Sequence, residues 1–246
     1  MTKISPFSCT HDYKVYWNPI DTNEEPSSAG FIYSSDEEKE MLRQVGSIGV
    51  IGQIQLSRIF LNNQKAKLNK LLDLKKVRQH LLQKGNQQIP IYTLGYVGLN
   101  NIDRLDRINQ FKDFTKDQIL QKLVFANLFS EFKKNNSEAK VHEAIDGPYT
   151  GIIENNEKMY HVIVVRGNES EIENHFKYEQ PKERVLIVVE SLSFVTPIID
   201  SVKEYSKQIR VTTDLDMRDG FQNMFYKFFD GSLIKEKELS ELKLKN

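Results

Sequence analysis

Residues 52–95 read GQIQLSRIFLNNQKAKLNKLLDLKKVRQHLLQKGNQQIPIYTLG. This stretch decides the fold. Ile54, Leu56, Ile59 and Phe60 recur at helical spacing and predict a short helix over Gln53–Phe60. Asn62 and Asn63 supply a turn. A second helical pattern runs from Gln64 to Leu74, with Ala66, Leu68, Leu71 and Leu72 on its apolar side and Lys65, Lys67, Asn69 and Lys70 on the other. Val77, Leu81 and Leu82 then fall in a strand-like run, although a helix continued from Leu71 fits the same residues. Lys84-Gly85-Asn86 signals a turn. Ile89, Ile91, Tyr92 and Leu94 make the next strand, and Pro90 confines it to a sheet edge. Helix, turn, basic helix and hairpin is the layout of a winged helix-turn-helix, which puts one helix into a DNA major groove.

Charge supports that placement locally. The chain as a whole has net charge zero, so it offers nucleic acid no global attraction. Between Lys65 and Lys84, however, Lys65, Lys67, Lys70, Lys75, Lys76, Arg78 and Lys84 face a single acid, Asp73. The balancing acids lie in Ser34–Glu40 and Glu169–Glu183. The Asn69 amide suits base edges and the lysines suit phosphates; Arg78, His80 and Lys84 sit where a wing meets the backbone. The candidate DNA-binding residues are therefore Asn63, Gln64, Lys65, Lys67, Asn69, Lys70, Lys75, Lys76, Arg78, His80 and Lys84. A solvated lysine face on a protein-interaction adaptor is the competing reading. One such domain makes few base contacts, so double-stranded DNA would be met by a homodimer on a repeated or palindromic site.

The remaining chain divides around this centre. Residues 1–33 read as an arm against the first domain, with Val15, Tyr16, Trp17, Phe31 and Ile32 as strand material. Ser35 and Glu38 have capping-box spacing before a helix over Asp36–Ile48. GSIGVIG lacks the Gly-Lys-Ser/Thr of a phosphate loop and reads as a turn with a short strand. The winged domain then spans 34–97. Linker helices fill 98–136, one of them capped by Thr115 or Asp113 with Ile119, Leu120, Leu123, Val124, Leu128, Phe129 and Phe132 buried. From 137 to 230 strands and helices alternate: strands at Val141–Ile145, Tyr149–Ile153, Met159–Val165, Arg184–Glu190 and Ile209–Thr213, helices at Ser170–Tyr178 and Pro197–Ser206. This predicts a small α/β sheet with a parallel crossover. Phe221–Phe229 should pack on it, and 231–246 should form a final helix through Leu239, Leu242 and Leu244. The expected class is α+β or α/β, a winged helix-turn-helix followed by a small α/β domain.

Several functions are disfavoured by the residues themselves. One cysteine, Cys9, permits no internal disulfide and suits a reducing, cytoplasmic setting. The start MTKISPFSCTHDY has no signal-peptide core, and no run approaches a membrane span. Cys9 and His11 lack a second pair for zinc, and His80, His142, His161 and His175 form no metal-spaced pair. Ser57 and Ser191 have no nucleophile-elbow setting. No catalytic, cofactor or metal site is expected.

The stretches QIQLSRIF, KLNKLLDLKKVRQHLLQKG, IPIYTLG, DQILQKLVFANLFSEFK and AIDGPYTGII…MYHVIVVRG…RVLIVVES together resemble the replication-relaxation family of plasmid and mobile-element proteins of Gram-positive bacteria, over about Asp36–Asp214. The resemblance implies a winged helix in front of a restriction-endonuclease-like domain. It also implies DNA binding in replication, maintenance or transcription, with a plasmid replication or partition protein as partner. Antitoxin regulators of abortive-infection systems share the layout and repress their own promoter. A metal-dependent nuclease of that second-domain fold needs an Asp, then an acid and a Lys two residues apart on the next strand. Asp146 fits the first position. The matching strand reads Val164-Val165-Arg166, which lacks the second carboxylate, with Glu143, Glu154 and Glu190 as possible substitutes. The expectation is a non-enzymatic DNA-binding protein, with nuclease and antitoxin-type repressor as alternatives.

Overall fold

The computed structural model describes residues 5–21, 34–180, 184–196, 198, 201, 209–229 and 231–238. The chain is a mixed α+β protein built as two compact units. One is Thr10–Ala126. The other takes the chain from Asn127 onward together with the segment ending at Cys9. The division falls inside a helix, not at the polar run near 137, because the apolar face of that helix is continuous through it.

In the first unit, α1 (Asp36–Ile48) starts where predicted. The Ser35 hydroxyl accepts from the Glu38 N–H at 3.2 Å, and three acids occupy the first turn. Leu42, Val45 and Ile48 are fully buried. The chain then forms β2 (Ile51–Gly52) and passes directly into α2 (Gln53–Phe60). Asn62 and Asn63 both adopt left-handed backbone, at φ 50° and 59°, and turn the chain into α3 (Lys65–Asp73). Asparagine tolerates that conformation better than other side chains.

β3 (Val77–Lys84) and β4 (Gln87–Leu94) pair antiparallel from Val77 opposite Leu94 to Lys84 opposite Gln87, which excludes a continued helix. Gly85, at φ 54°, makes the tip. β1 (Tyr13–Tyr16) adds to β3 through pairs such as Val15 with Leu82, giving the order β1-β3-β4-β2. Part of the N-terminal arm is thus a sheet strand that covers one flank of the hairpin. Phe31 and Ile32 lie outside the described residues. β4 is an inner strand, but β2 pairs only with its Ile91 and Tyr92, so Pro90 lies past that pairing.

Two expected core positions of this unit are not core. Ile54 is 63% exposed at the start of α2, and Ala66 is exposed on α3. Both lie at the helices' first turns, where the predicted apolar stripe has drifted off the packed face. α4 (Tyr96–Asn101) begins two residues before the stretch expected to hold linker helices. A Cβ on its Gly98 would stand 2.0 Å from the Lys76 carbonyl oxygen, so only glycine lets the helix approach that turn. α5 (Lys116–Asn135) opens with a reciprocal box: Gln118 N–H donates to Thr115 Oγ1 at 3.2 Å, and Thr115 N–H donates to Gln118 Oε1 at 2.9 Å. All seven of its predicted apolar residues are buried.

The second unit holds a seven-stranded sheet. Its strands are β5 (Lys140–His142), β6 (Gly151–Asn155), β7 (Lys158–Val164), β8 (Val185–Val189), β9 (Ile209–Thr213), β10 (Tyr226–Phe229) and β11 (Ser232–Lys235), and they lie in sequence order across it. β5, β6 and β7 pair antiparallel; β7, β8 and β9 are parallel; β10 and β11 return antiparallel. The crossover from β7 to β8 is α6 (Glu169–Tyr178). Its Ile172 and Phe176 pack on Ile163, Val165, Val185, Ile187, Val189, Ile209 and Val211. β8 is buried at all five positions, as its uninterrupted apolar run predicts.

One expectation is refined here and one fails; Tyr226 and Phe228 do pack against the sheet's core. Within Phe221–Phe229 the last four residues are themselves strand β10. Residues 232–235 form β11 and not the start of a helix, because Gly231 at φ 76° closes a hairpin on β10. The predicted helix over Pro197–Ser206, and Leu239, Leu242 and Leu244, lie mostly or wholly outside the described residues.

Candidate nucleic-acid interface

α2 and α3 fix the candidate face through their turn. Asn63 N–H donates to Ser57 O at 2.9 Å, and Gln64 N–H donates to Leu61 O at 2.9 Å. Leu68 and Leu71 anchor α3, each 4% exposed. With those two sides of the helix held inward, Lys65, Lys67, Asn69 and Lys70 are all exposed, as are Asn63 and Gln64 at its start. These six are the predicted residues that the fold brings together, four on α3 and two in the turn that leads into it. Sequence reading missed what shares a groove with two of them. Lys67 and Lys70 line a groove of about 330 Å³ that is also lined by Glu37, Glu38 and Met41 of α1. Glu38 is already paired with Lys76, which leaves Glu37 as the acid that shares this groove with the two lysines.

Two predicted contacts are corrected by burial. Lys76 is 1% exposed; its ammonium donates to Ser34 Oγ at 2.7 Å and to Glu38 Oε2 at 2.8 Å. It is an internal cation, not a surface one. His80 is also 1% exposed. Its Nδ1 accepts from Asn18 N–H at 3.0 Å, Nε2 lies 2.9 Å from Thr93 Oγ1, and Trp17 and Phe111 pack on the ring. Burial, reinforced by the nearby Arg78 charge, lowers its pKa to about 3. A neutral, enclosed imidazole has no route to a phosphate.

The remaining three are placed differently. Arg78 commits Nε and Nη2 to the arm, bonding Asn18 O at 3.2 Å, Asn18 Oδ1 at 2.9 Å and Pro19 O at 2.6 Å. Lys75 adopts φ 53° at the end of α3 and, with Arg78, lines a notch of about 190 Å³ beside Tyr96. Lys84 stands at the hairpin tip with its ammonium 5.9 Å from the Tyr13 ring centroid. Beyond it Gly85, Asn86, Gln87 and Gln88 are exposed. The two glutamines were not singled out; their position beside the Gly-Asn turn is the signal that marks them.

The second unit holds a largely buried charged cluster near the strand ends where the nuclease alternative looks for its acids. Arg166, Glu190 and Asp214 stand just past the ends of the parallel strands β7, β8 and β9. Arg166 Nη2 lies 2.5 Å from Asp214 Oδ2 and Nε 3.6 Å from Glu190 Oε1, with the arginine side chain fully buried. The segment before Cys9 closes over them. Ser5 Oγ donates to Asp214, Arg166 Nε donates to Phe7 O at 3.0 Å, and Cys9 N–H donates to Glu190 Oε1 at 3.0 Å. Val164, at the position of the missing carboxylate, is wholly buried. Asp146 is exposed on a loop, and Glu154 pairs with His142 at 2.7 Å. Among the described residues no cluster of three acid, histidine or cysteine side chains is arranged to hold a metal ion. His161 and His175, far apart in sequence, both pack edge-on to Tyr149, at 5.2 and 5.6 Å, as aromatic neighbours.

Comparison with family models, curated proteins and solved structures gives no match. No helix among the described residues is long and apolar enough to cross a membrane.

Proposed function

We propose that the chain is a site-specific double-stranded DNA-binding protein without catalytic activity, and that Thr10–Ala126 is a winged helix-turn-helix. α3 enters the major groove, and the tip of the β3–β4 hairpin follows the phosphate backbone. The observation that carries this is the exposure of Lys65, Lys67, Asn69 and Lys70 on one helix whose other side is pinned by Leu68 and Leu71. Lysines supply the phosphate contacts and the amide a base contact. Support for the second unit being an endonuclease-like scaffold comes from its strand order, with β6 antiparallel to neighbours on both sides and β7 to β9 parallel. On this reading the protein acts in plasmid or mobile-element replication, maintenance or transcriptional control, as the resemblance to replication-relaxation proteins implies; a homodimer is proposed because one winged helix makes few base contacts, and a cytoplasmic setting because Cys9 is the single cysteine.

Gel-shift titration of the purified chain against fragments of its native replicon tests the reading. Retention of one fragment over competitor, weakening with salt, is the expected result. Equal binding of all fragments, or none at low salt, overturns it. A second reading, a protein-interaction adaptor, draws on the acids that line the same groove as Lys67 and Lys70, and the absence of any DNA binding at low salt would favour it.

A further inference from the structure

The second unit holds a cleft that the DNA reading does not use. α6 covers the sheet face bearing Val185, Ile187, Ile209 and Val211. Side chains alternate along a strand, so Leu186 and Arg210, register partners on β8 and β9, face the other way. On that side lies a cleft of about 720 Å³, within the roughly 300–1,000 Å³ range of small-molecule sites.

The lining divides into two kinds of chemistry. One wall is aromatic. Phe132 of α5 meets Phe221 edge-on at 4.8 Å and 85°, Phe221 meets Phe225 at 5.4 Å and 85°, and Tyr160 stands 5.6 Å from Phe132. Phe221 and Tyr160 remain partly exposed. The other wall is cationic. Arg210 Nε and Lys227 Nζ converge on Glu236 Oε1, at 2.8 and 2.6 Å, and Lys237 borders the same space. Two cations share one carboxylate, so positive charge is in surplus where they meet. The exposed Gln222 and the partly exposed Asn223 also line the cleft.

We propose that this cleft binds a free nucleoside phosphate. Its base lies against Phe221 and Tyr160, an attraction available to any planar ring. Its phosphate displaces the Glu236 carboxylate from Arg210 and Lys227, because a dianion accepts more charge-assisted hydrogen bonds than the single carboxylate it replaces. Gln222 and Asn223 offer donors and acceptors to the base edge. Glu236 is then a built-in competitor, which makes the proposal sensitive to sign.

Calorimetric titration of the full chain with AMP, GMP and ATP tests it, alongside adenosine, inorganic phosphate and a short single-stranded oligonucleotide. At least one nucleotide is expected to bind with a Kd below about 1 mM. Adenosine and phosphate alone should each bind about tenfold more weakly, since each reaches one wall only. Lys227→Glu should weaken the nucleotide by at least about tenfold, and Glu236→Gln should tighten it severalfold. Circular dichroism of both variants checks that they fold. The opposite sign expected of Glu236→Gln keeps the test decisive if Lys227→Glu proves damaged. The proposal is overturned if no nucleotide binds, if phosphate alone binds as well, or if Glu236→Gln fails to tighten binding. Binding of the oligonucleotide with no free nucleotide bound overturns it equally.

Discussion

Lys76 Nζ lies 2.8 Å from Glu38 Oε2, and the lysine side chain is 2% exposed against 27% for the glutamate. This pair joins the turn after α3 to the first turn of α1, and so sets how the candidate recognition helix is held. Glu38 therefore does more than its place in the capping sequence suggests. Removing it strands a buried ammonium. Glu38→Ala is expected to lower stability by about 3 kcal/mol, the lower end for a broken buried pair because the glutamate is partly solvated. Lys76→Met removes the charge as well as the pair and should cost clearly less. Urea denaturation of both variants measures the order; an equal or reversed cost would mean that the pair is not a stabilising link.

The enclosure of His80 makes the first unit acid-sensitive. The ordinary imidazole pKa of 6.5 falls to about 3 in the fold. Below pH 6.5 the unfolded chain takes up a proton that the folded chain refuses, so this contribution is complete above pH 6.5 and declines towards pH 3. The decline amounts to about 1.4 kcal/mol per pH unit across that window. His80→Gln should destabilise the protein at pH 7, where its bonds to Asn18 and Thr93 are lost, yet show a flatter loss of stability between pH 6.5 and 4. Urea midpoints at several pH values decide it, and parallel pH slopes for the two proteins would contradict the buried neutral ring.

Much of the fold was legible because local rules and tertiary packing agree in it. Ser35 and Thr115 cap their helices, Asn62 and Asn63 turn the chain, and β8 is as buried as its five apolar residues demand. Where reading failed, burial was decided by partners distant in sequence. Lys76 looked like part of a basic run, and only Glu38 and Ser34, about forty residues away, make it internal. His80 looked like a wing residue until Trp17, Asn18 and Phe111 enclosed it. β11 was read as helix because a charged, leucine-spaced tail follows it, while the hairpin that forms depends on pairing with β10. α4 is too short to show a period. The exposure of the α3 lysines was readable, but the groove they share with the acids of α1 was not, since helix packing sets that juxtaposition.

The buried Arg166 makes a separate prediction about the second unit. Its guanidinium is held by Asp214 at 2.5 Å and by Glu190 at 3.6 Å, with no exposed side-chain surface. A group so committed serves folding. Asp214→Ala should cost about 3 kcal/mol, the lower end for a broken buried pair, because Glu190 still stands beside the buried arginine. Supercoiled plasmid incubated with the wild-type chain and Mg²⁺ or Mn²⁺ should stay intact. Nicking that disappears in Asp146→Ala would reassign the domain as a nuclease.

The proposed DNA contacts are best separated from structural cations by their salt dependence. Each lysine that neutralises a phosphate contributes about 0.9 to the slope of log K against log salt. Lys65→Ala, Lys67→Ala and Lys70→Ala should each weaken binding and reduce that slope. Lys76→Met should leave the slope unchanged, because an ammonium already paired with Glu38 in the interior releases no counterion from DNA. Glu37→Gln should act in the opposite direction and tighten binding, since it removes a carboxylate that lines the same groove as Lys67 and Lys70. Fluorescence-anisotropy titrations between low and moderate salt distinguish these outcomes. A slope that falls with Lys76→Met but not with the three exposed lysines would show that α3 is not the helix that meets DNA.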